Sequence, residues 1–183
     1  MSDTHDRPEL RPILVALDLT PASADVLAFA LNLSECTGAP LTVMHAVHEP
    51  AHDPGFYRRG RGVHRSVPMK TLAKYMLDEL LERECVDDVA SRMDGALRVV
   101  LTEGLPATRI LDVATRDDVA MIVLGSHGRS GAARMMLGSV VDEVSRQSKV
   151  PVTIVRSTWT GWQSSPLEEE GEKQAVAQAA VAV

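Results

Sequence analysis

The stretch GSHGRSGAARMMLGS, residues 125–139, gathers the side chains with the clearest chemical purpose in this chain. Gly125 and Gly128 carry no Cβ, so a ligand can approach the backbone amides closely there. Ten residues after Gly128, Gly138 and Ser139 stand where an apolar-periodic segment, SVVDEVSRQS, begins. A helix start at that point presents unpaired N–H groups and the positive end of the helix dipole, which together suit an anion such as phosphate. The hydroxyls of Ser130 and Ser139 and the guanidinium groups of Arg129 and Arg134 lie close in sequence. A plain turn uses glycine as well, and Ser139 can simply cap its helix. Local chemistry leaves both readings open.

The elements around this stretch narrow the choice. PILVALD (12–18) is a continuous apolar run too short for a helix, and reads as a buried strand. Thr20 and Pro21 follow as an N-cap and first helical residue, opening a helix with an apolar face of Val26, Leu27, Ala30, Leu31 and Leu33 that stops at Gly38. PLTVMHAV (40–47) is a second strand, and the Pro-, Gly- and Arg-rich stretch that follows it reads as a loop. A long amphipathic helix is expected from Met69 to about Arg92. ALRVVLTEG then gives a third strand, PATRILDVATRDD a third helix, VAMIVLG (119–125) a fourth strand, SVVDEVSRQS (139–148) a fourth helix and VPVTIVR (150–156) a fifth strand. Strands alternating with helices predict an α/β fold, a five-stranded parallel doubly wound sheet with helices on both faces. Ligands of such sheets bind beyond the C-terminal strand ends, where the winding reverses, and the glycine-rich stretch lies at such an end.

Composition removes several classes of function. The chain has 183 residues and a net charge of −6, of which residues 157–183 carry −3. An acidic body is a poor electrostatic match to nucleic acid, and no run of about 18 apolar residues suggests a membrane span. The first residues lack the apolar core of a secretory signal, so the protein reads as cytoplasmic. Cys36 and Cys85 form neither a metal knuckle nor a disulfide framework and read as buried thiols. Residues 1–11 are expected to be a flexible leader, 12–156 one domain, and 157–183 an acidic, alanine-rich and mostly disordered tail.

Two familiar phosphate loops are absent from the sequence. There is no G-x-x-x-x-G-K-[ST], and the lone G-x-G, Gly60 to Gly62, does not follow a strand. The pattern present is G-x2-G-x9-G-S, which resembles the nucleotide-binding signature of the universal stress protein family. ILVALDLTPAS, LTVMHAVHE, TEGLPATRILDVATRDDVAMIVLGSHGRSG and GSVVDEVSRQSKVPVTIVR are similar to that family's segments in order and spacing, across most of residues 11–156. The resemblance implies a Rossmann-like sheet of order 3-2-1-4-5 and membership of the family's ATP-binding branch.

Carried over residue by residue, the resemblance puts Asp18 at the ribose and adenine, the Ala46 backbone at the adenine edge and Gly125 beside the ribose. It puts Gly128, Gly138, Ser139 and Val140 around the phosphates, with Arg129 nearby. Val141 is counted with this set but departs from it, because some ATP-binding members carry a hydroxyl there. An acid ending a strand also caps the turn that follows, so Asp18 has a structural reading too. His127 has no catalytic partner that the sequence identifies, and His45, His48, His52 and His64 lack compact metal-ligand spacing. Arg58, Arg59, Arg61 and Arg65 are either a lid over phosphates or a solvated loop.

The function so implied is a nucleotide-responsive stress regulator that binds ATP, with or without Mg2+. The last strand, 150–155, would form a homodimer and cover an apolar edge. The alternatives are a related interaction module that binds no nucleotide, and a slow ATPase.

Overall fold

A computed structural model describes residues 10–48, 68–84, 97–126 and 138–156. In chain order these form β1 (Ile13–Ala16), α1 (Ser23–Thr37), β2 (Leu41–Val47), α2 (Met69–Arg83), β3 (Leu97–Glu103), α3 (Pro106–Arg116), β4 (Met121–Gly125), α4 (Ser139–Gln147) and β5 (Val152–Val155). The five strands make one sheet in the order β3-β2-β1-β4-β5, every neighbouring pair parallel. This is the α/β, Rossmann-like order that the resemblance implies.

Side chains alternate across a strand, so each apolar run supplies both faces of the sheet. Ile13, Val15, Leu41, Val43 and Val123 pack with Val26, Leu27, Ala30 and Leu31 of α1 and with Leu72, Ala73, Leu77 and Leu80 of α2. Their neighbours Leu14, Met44, Ile122 and Leu124 face the other way, onto Ala107, Ile110 and Val113 of α3 and Val141 and Val144 of α4. Full burial of each leucine in these layers contributes roughly 1.5–3 kcal/mol. Two separately packed layers hold the strand ends in register, and the strand ends carry the site.

Some boundaries differ from expectation. Helix α1 starts at Ser23 with Ala22 as N-cap, so Thr20 does not cap it. The Thr20 hydroxyl and N–H are both engaged by Asp18, and its carbonyl accepts from the Ser23 N–H at 2.8 Å, closing a turn before the helix begins. Gly38 ends α1 in the left-handed region, φ 72°. Helix α3 stops two residues short of Asp118, because Asp118 adopts φ 45°. Helix α2 ends at Arg83, and most of its expected continuation lies outside the described residues. Cys36 is exposed rather than buried, since the buried positions of α1 (Val26, Leu27, Ala30, Leu31, Ser34) fall on the opposite side. Cys85 lies outside the described residues.

The N-terminal end of the sheet is tied by charge. Arg11 donates to the Asp118 carboxylate and carbonyl, both at 2.8 Å, and to the Val119 carbonyl at 2.7 Å, while Asp117 pairs with both Arg98 and Arg116. At the other end of β3, Gly104 takes φ 126° beneath Arg109, and a Cβ there would stand 2.8 Å from the guanidinium Nε. The backbone conformation therefore calls for glycine, whereas the Arg109 side chain can move aside.

Candidate functional site

Three chain segments meet at the C-terminal end of the sheet, and the register aligns them. Ala16 of β1 stands opposite Met44 of β2 and Leu124 of β4. Two residues further on, Asp18, Ala46 and Ser126 reach the same level. Strand β1 is also where the winding changes direction, since the chain goes from β1 to β2 on one side and β4 lies on the other. The crevice between β1 and β4 is thus the topological switch point, the usual place for a ligand in a doubly wound sheet.

The β1 wall of the crevice is a tightly determined turn. Asp18 Oδ1 accepts from the Thr20 N–H at 3.1 Å, the Thr20 hydroxyl at 2.8 Å and the Ser23 hydroxyl at 2.9 Å. Asp-x-Thr is the sequence form of this Asx-type turn. Between them Leu19 is held at φ 60°, a conformation that costs a residue with a Cβ about 1–2 kcal/mol. Asp18's bonds and the burial of the Leu19 side chain offset that cost. The structural role of Asp18 is therefore real, and it fixes where this carboxylate stands.

The β4 wall is built from peptide groups. Ser126 is buried; its N–H donates to the Val155 carbonyl at 2.8 Å and its carbonyl accepts from the Gly138 N–H at 3.3 Å. One peptide-scale junction thereby joins β4, β5 and the start of α4. Gly138 is the N-cap of α4 at φ −59°, ψ 151°, so glycine is not needed there for its backbone conformation. The first intrahelical bond runs from the Asp142 N–H to the Gly138 carbonyl at 3.0 Å. The N–H groups of Ser139, Val140 and Val141 therefore precede any intrahelical partner and form the donor end of the helix dipole. Asp142, in that first turn, forms an ion pair with Arg146 at 2.7 Å.

Of the residues expected at a ligand, the structure brings Asp18, Ala46, Gly125, Gly138, Ser139, Val140 and Val141 to one end of the sheet. Ser139 is exposed, while Val141 is buried in the α3–α4 layer of the core, so Val141 has only its backbone to offer the crevice. Gly128 and Arg129 lie outside the described residues, as do His127, Ser130, Arg134 and the arginines of the loop after β2. So do His52 and His64; of the remaining histidines from that set, His45 is buried and bonds to the Leu17 carbonyl, and His48 sits beyond β2. Ser126 was not among the expected site residues, and His45 was weighed only as a metal ligand. Ser126 acts through groups every residue has, but a histidine inside LTVMHAV was a readable signal, because a buried polar group needs a specific partner.

This arrangement has relatives. The model of the universal stress protein family matches residues 9–156. The chain belongs to the universal stress protein family. Universal stress protein YxiE of Bacillus subtilis is 31% identical over 153 residues, covering 79% of this chain and 97% of that one. A universal stress protein from Archaeoglobus fulgidus, solved in complex with dAMP, has a similar fold at TM-score 0.53 and 21% identity, covering 80% of this chain and 98% of that one. Another universal stress protein, solved in complex with cAMP, has TM-score 0.53 and 19% identity, covering 82% of this chain and 99% of that one.

Proposed function

We propose that this universal stress protein binds an adenine nucleotide, ATP above all, in the crevice between β1 and β4, and acts in the cytoplasm as a homodimeric regulator that responds to the bound nucleotide. The observation that carries the reading is the convergence of two unlike walls at the switch point. Asp18 on one side is an acceptor suited to ribose hydroxyls, and the first-turn N–H groups of Ser139, Val140 and Val141 on the other are donors suited to phosphate. Gly125 and the Ala46 backbone lie level with the space between, on strands that leave the adenine a mostly apolar floor. Gly128 and Arg129 complete the phosphate side in this reading. The dAMP and cAMP complexes of related folds support an adenine ligand. Mg2+, where present, enters on the phosphates, which is its habit in nucleotide sites. The outer edge of β5, which pairs with β4 alone among the described strands, is the surface through which the dimer forms.

The test is direct. Protein purified without added nucleotide is denatured, the released small molecules are identified, and the stripped protein is titrated with ATP with and without Mg2+. Recovered adenine nucleotide, and a rise in Tm on titration, are the expected results. Because Gly138 occupies an ordinary backbone region, Gly138→Ala should fold normally while weakening ATP binding several-fold through lost room at the helix start. A wild-type protein that releases no nucleotide and whose Tm is unmoved by ATP would overturn the reading and leave a protein–protein module. Phosphate release over hours, compared with Asp18→Ala, measures any hydrolysis.

A further inference from the structure

We infer that His45 is a positioning residue for the adenosine end of the ligand: through the Leu17 carbonyl it sets the peptide plane that leads into Asp18. This rests on the nucleotide reading above. His45 is 1% exposed in a strand whose seven residues are all buried. An apolar side chain would fill that volume without the cost of burying a polar ring, so the ring's hydrogen bonding needs explaining. Its Nδ1 lies 2.7 Å from the Leu17 carbonyl oxygen. A carbonyl only accepts, so Nδ1 carries the hydrogen and donates it.

The position of Leu17 gives this bond its consequence. Strand β1 ends at Ala16, and one more backbone bond, Leu17 N–H to the Met44 carbonyl at 2.9 Å, carries the pairing past that end. His45 then takes over from the backbone by binding the next group along, the Leu17 carbonyl. That carbonyl belongs to the peptide bond joining Leu17 to Asp18, so its direction governs where the Asp18 carboxylate starts. Immediately beyond come the left-handed Leu19 and the bonds from Asp18 to Thr20 and Ser23. The turn is held from below by His45 and from above by Asp18. Removing the lower hold lets the 17–18 peptide plane rotate and displaces the carboxylate that faces the ribose.

The experiment compares wild type with His45→Leu, His45→Asn and Ile110→Ala. Asparagine Nδ2 reaches about where imidazole Nδ1 stands, leucine has no donor, and Ile110 is a buried residue of the α3 layer that serves as a control for stability alone. Amide hydrogen exchange at Thr20, whose N–H binds Asp18, and dissociation constants for AMP, ATP and inorganic triphosphate are measured. His45→Leu is expected to weaken AMP and ATP about tenfold alike, the effect of one ordinary hydrogen bond, with triphosphate unaffected and Thr20 exchanging faster. His45→Asn should bring both readouts back to within about threefold of wild type. Ile110→Ala should lower Tm and change neither.

Wild-type affinity and Thr20 protection in His45→Leu, or failure of His45→Asn to rescue, would overturn the assignment. A wild type that binds none of the three ligands ends the nucleotide reading by itself, and with it the ligand role of His45. Thr20 exchange then still decides whether His45 sets the turn. If His45→Leu does not fold, imidazole 15N spectra of the wild type decide: a protonated Nδ1 supports the bond, and an unprotonated Nδ1 overturns it.

Discussion

Asp18 holds a turn and, in the proposed function, also meets the nucleotide, and a pair of substitutions separates the two. Its Oδ1 accepts from the Thr20 N–H and from the hydroxyls of Thr20 and Ser23, and in the proposed nucleotide site its charge serves the ligand. Asparagine keeps an acceptor in the same place and loses the charge; alanine loses both. Asp18→Ala is expected to lower stability by about 1–2 kcal/mol, as loss of a helix-entry acceptor does, while Asp18→Asn loses much less. Both should weaken ATP binding, the alanine variant more. Thermal melts with and without ATP check the pair, and equal melts for the two variants would show that the turn does not depend on the Oδ1 acceptor. The sequence offered Asp18 as either a cap or a ligand contact. The structure gives the first role in full, and the second belongs to the proposed nucleotide site.

At the scale of elements, β5 is half-buried along its length and pairs with β4 alone among the described strands. The Ile122 N–H binds the Pro151 carbonyl and the Ser126 N–H binds that of Val155, so alternate residues 151, 153 and 155 face β4. Val152 and Ile154 therefore present their peptide groups outward, to the proposed partner subunit. Val152→Pro removes one outward N–H without removing a bond to β4, and proline is tolerated at such edge positions. It should shift the protein from dimer to monomer in sedimentation velocity with little change in fold; a dimer of undiminished stability would place the interface elsewhere. The alternation of strands and helices was legible because buried parallel strands read as unbroken apolar runs, and PILVALD, PLTVMHAV and VAMIVLG are all of that kind. The start of α1 was not, because Thr20-Pro21 has the local form of a cap and only the competing grip of Asp18 redirects it. The glycine-rich end of β4 was legible as a candidate site, but the Ser126 junction was not, since peptide N–H and carbonyl groups leave no mark in a sequence.

The whole molecule separates its functions between the two ends of the sheet. The C-terminal end carries the candidate site, and the N-terminal end carries the Arg11–Asp118 clamp and the Arg98–Asp117–Arg116 cluster. The Arg116 hydrogen bond, aided by Arg98, holds the Asp117 carboxyl below its ordinary range against the opposing effect of partial burial. A carboxyl depressed in the folded state stabilises above its unfolded pKa, about 4, and that contribution is lost as pH falls through the lower folded value. Asp117→Asn should thus cost about 1 kcal/mol at pH 7, modest because both arginines are at least half exposed, and the difference from wild type should vanish as the pH drops below 4. Urea denaturation across that range is the check, and ATP affinity should be untouched because the cluster lies at the far end of the sheet. A cost that persisted at pH 2 would assign Asp117 a packing role instead.

The bond between the Gly138 N–H and the Ser126 carbonyl makes the intervening stretch, residues 127–137, a closed ring in the covalent and hydrogen-bonded sense. Its two ends are fixed to the scaffold by bonds that do not depend on which side chains lie between them. The entropy of closing such a ring rises only slowly with length, about 0.6 kcal/mol per doubling. Substitution or lengthening between Ser126 and Gly138 is therefore expected to leave β4, β5 and α4 in their places.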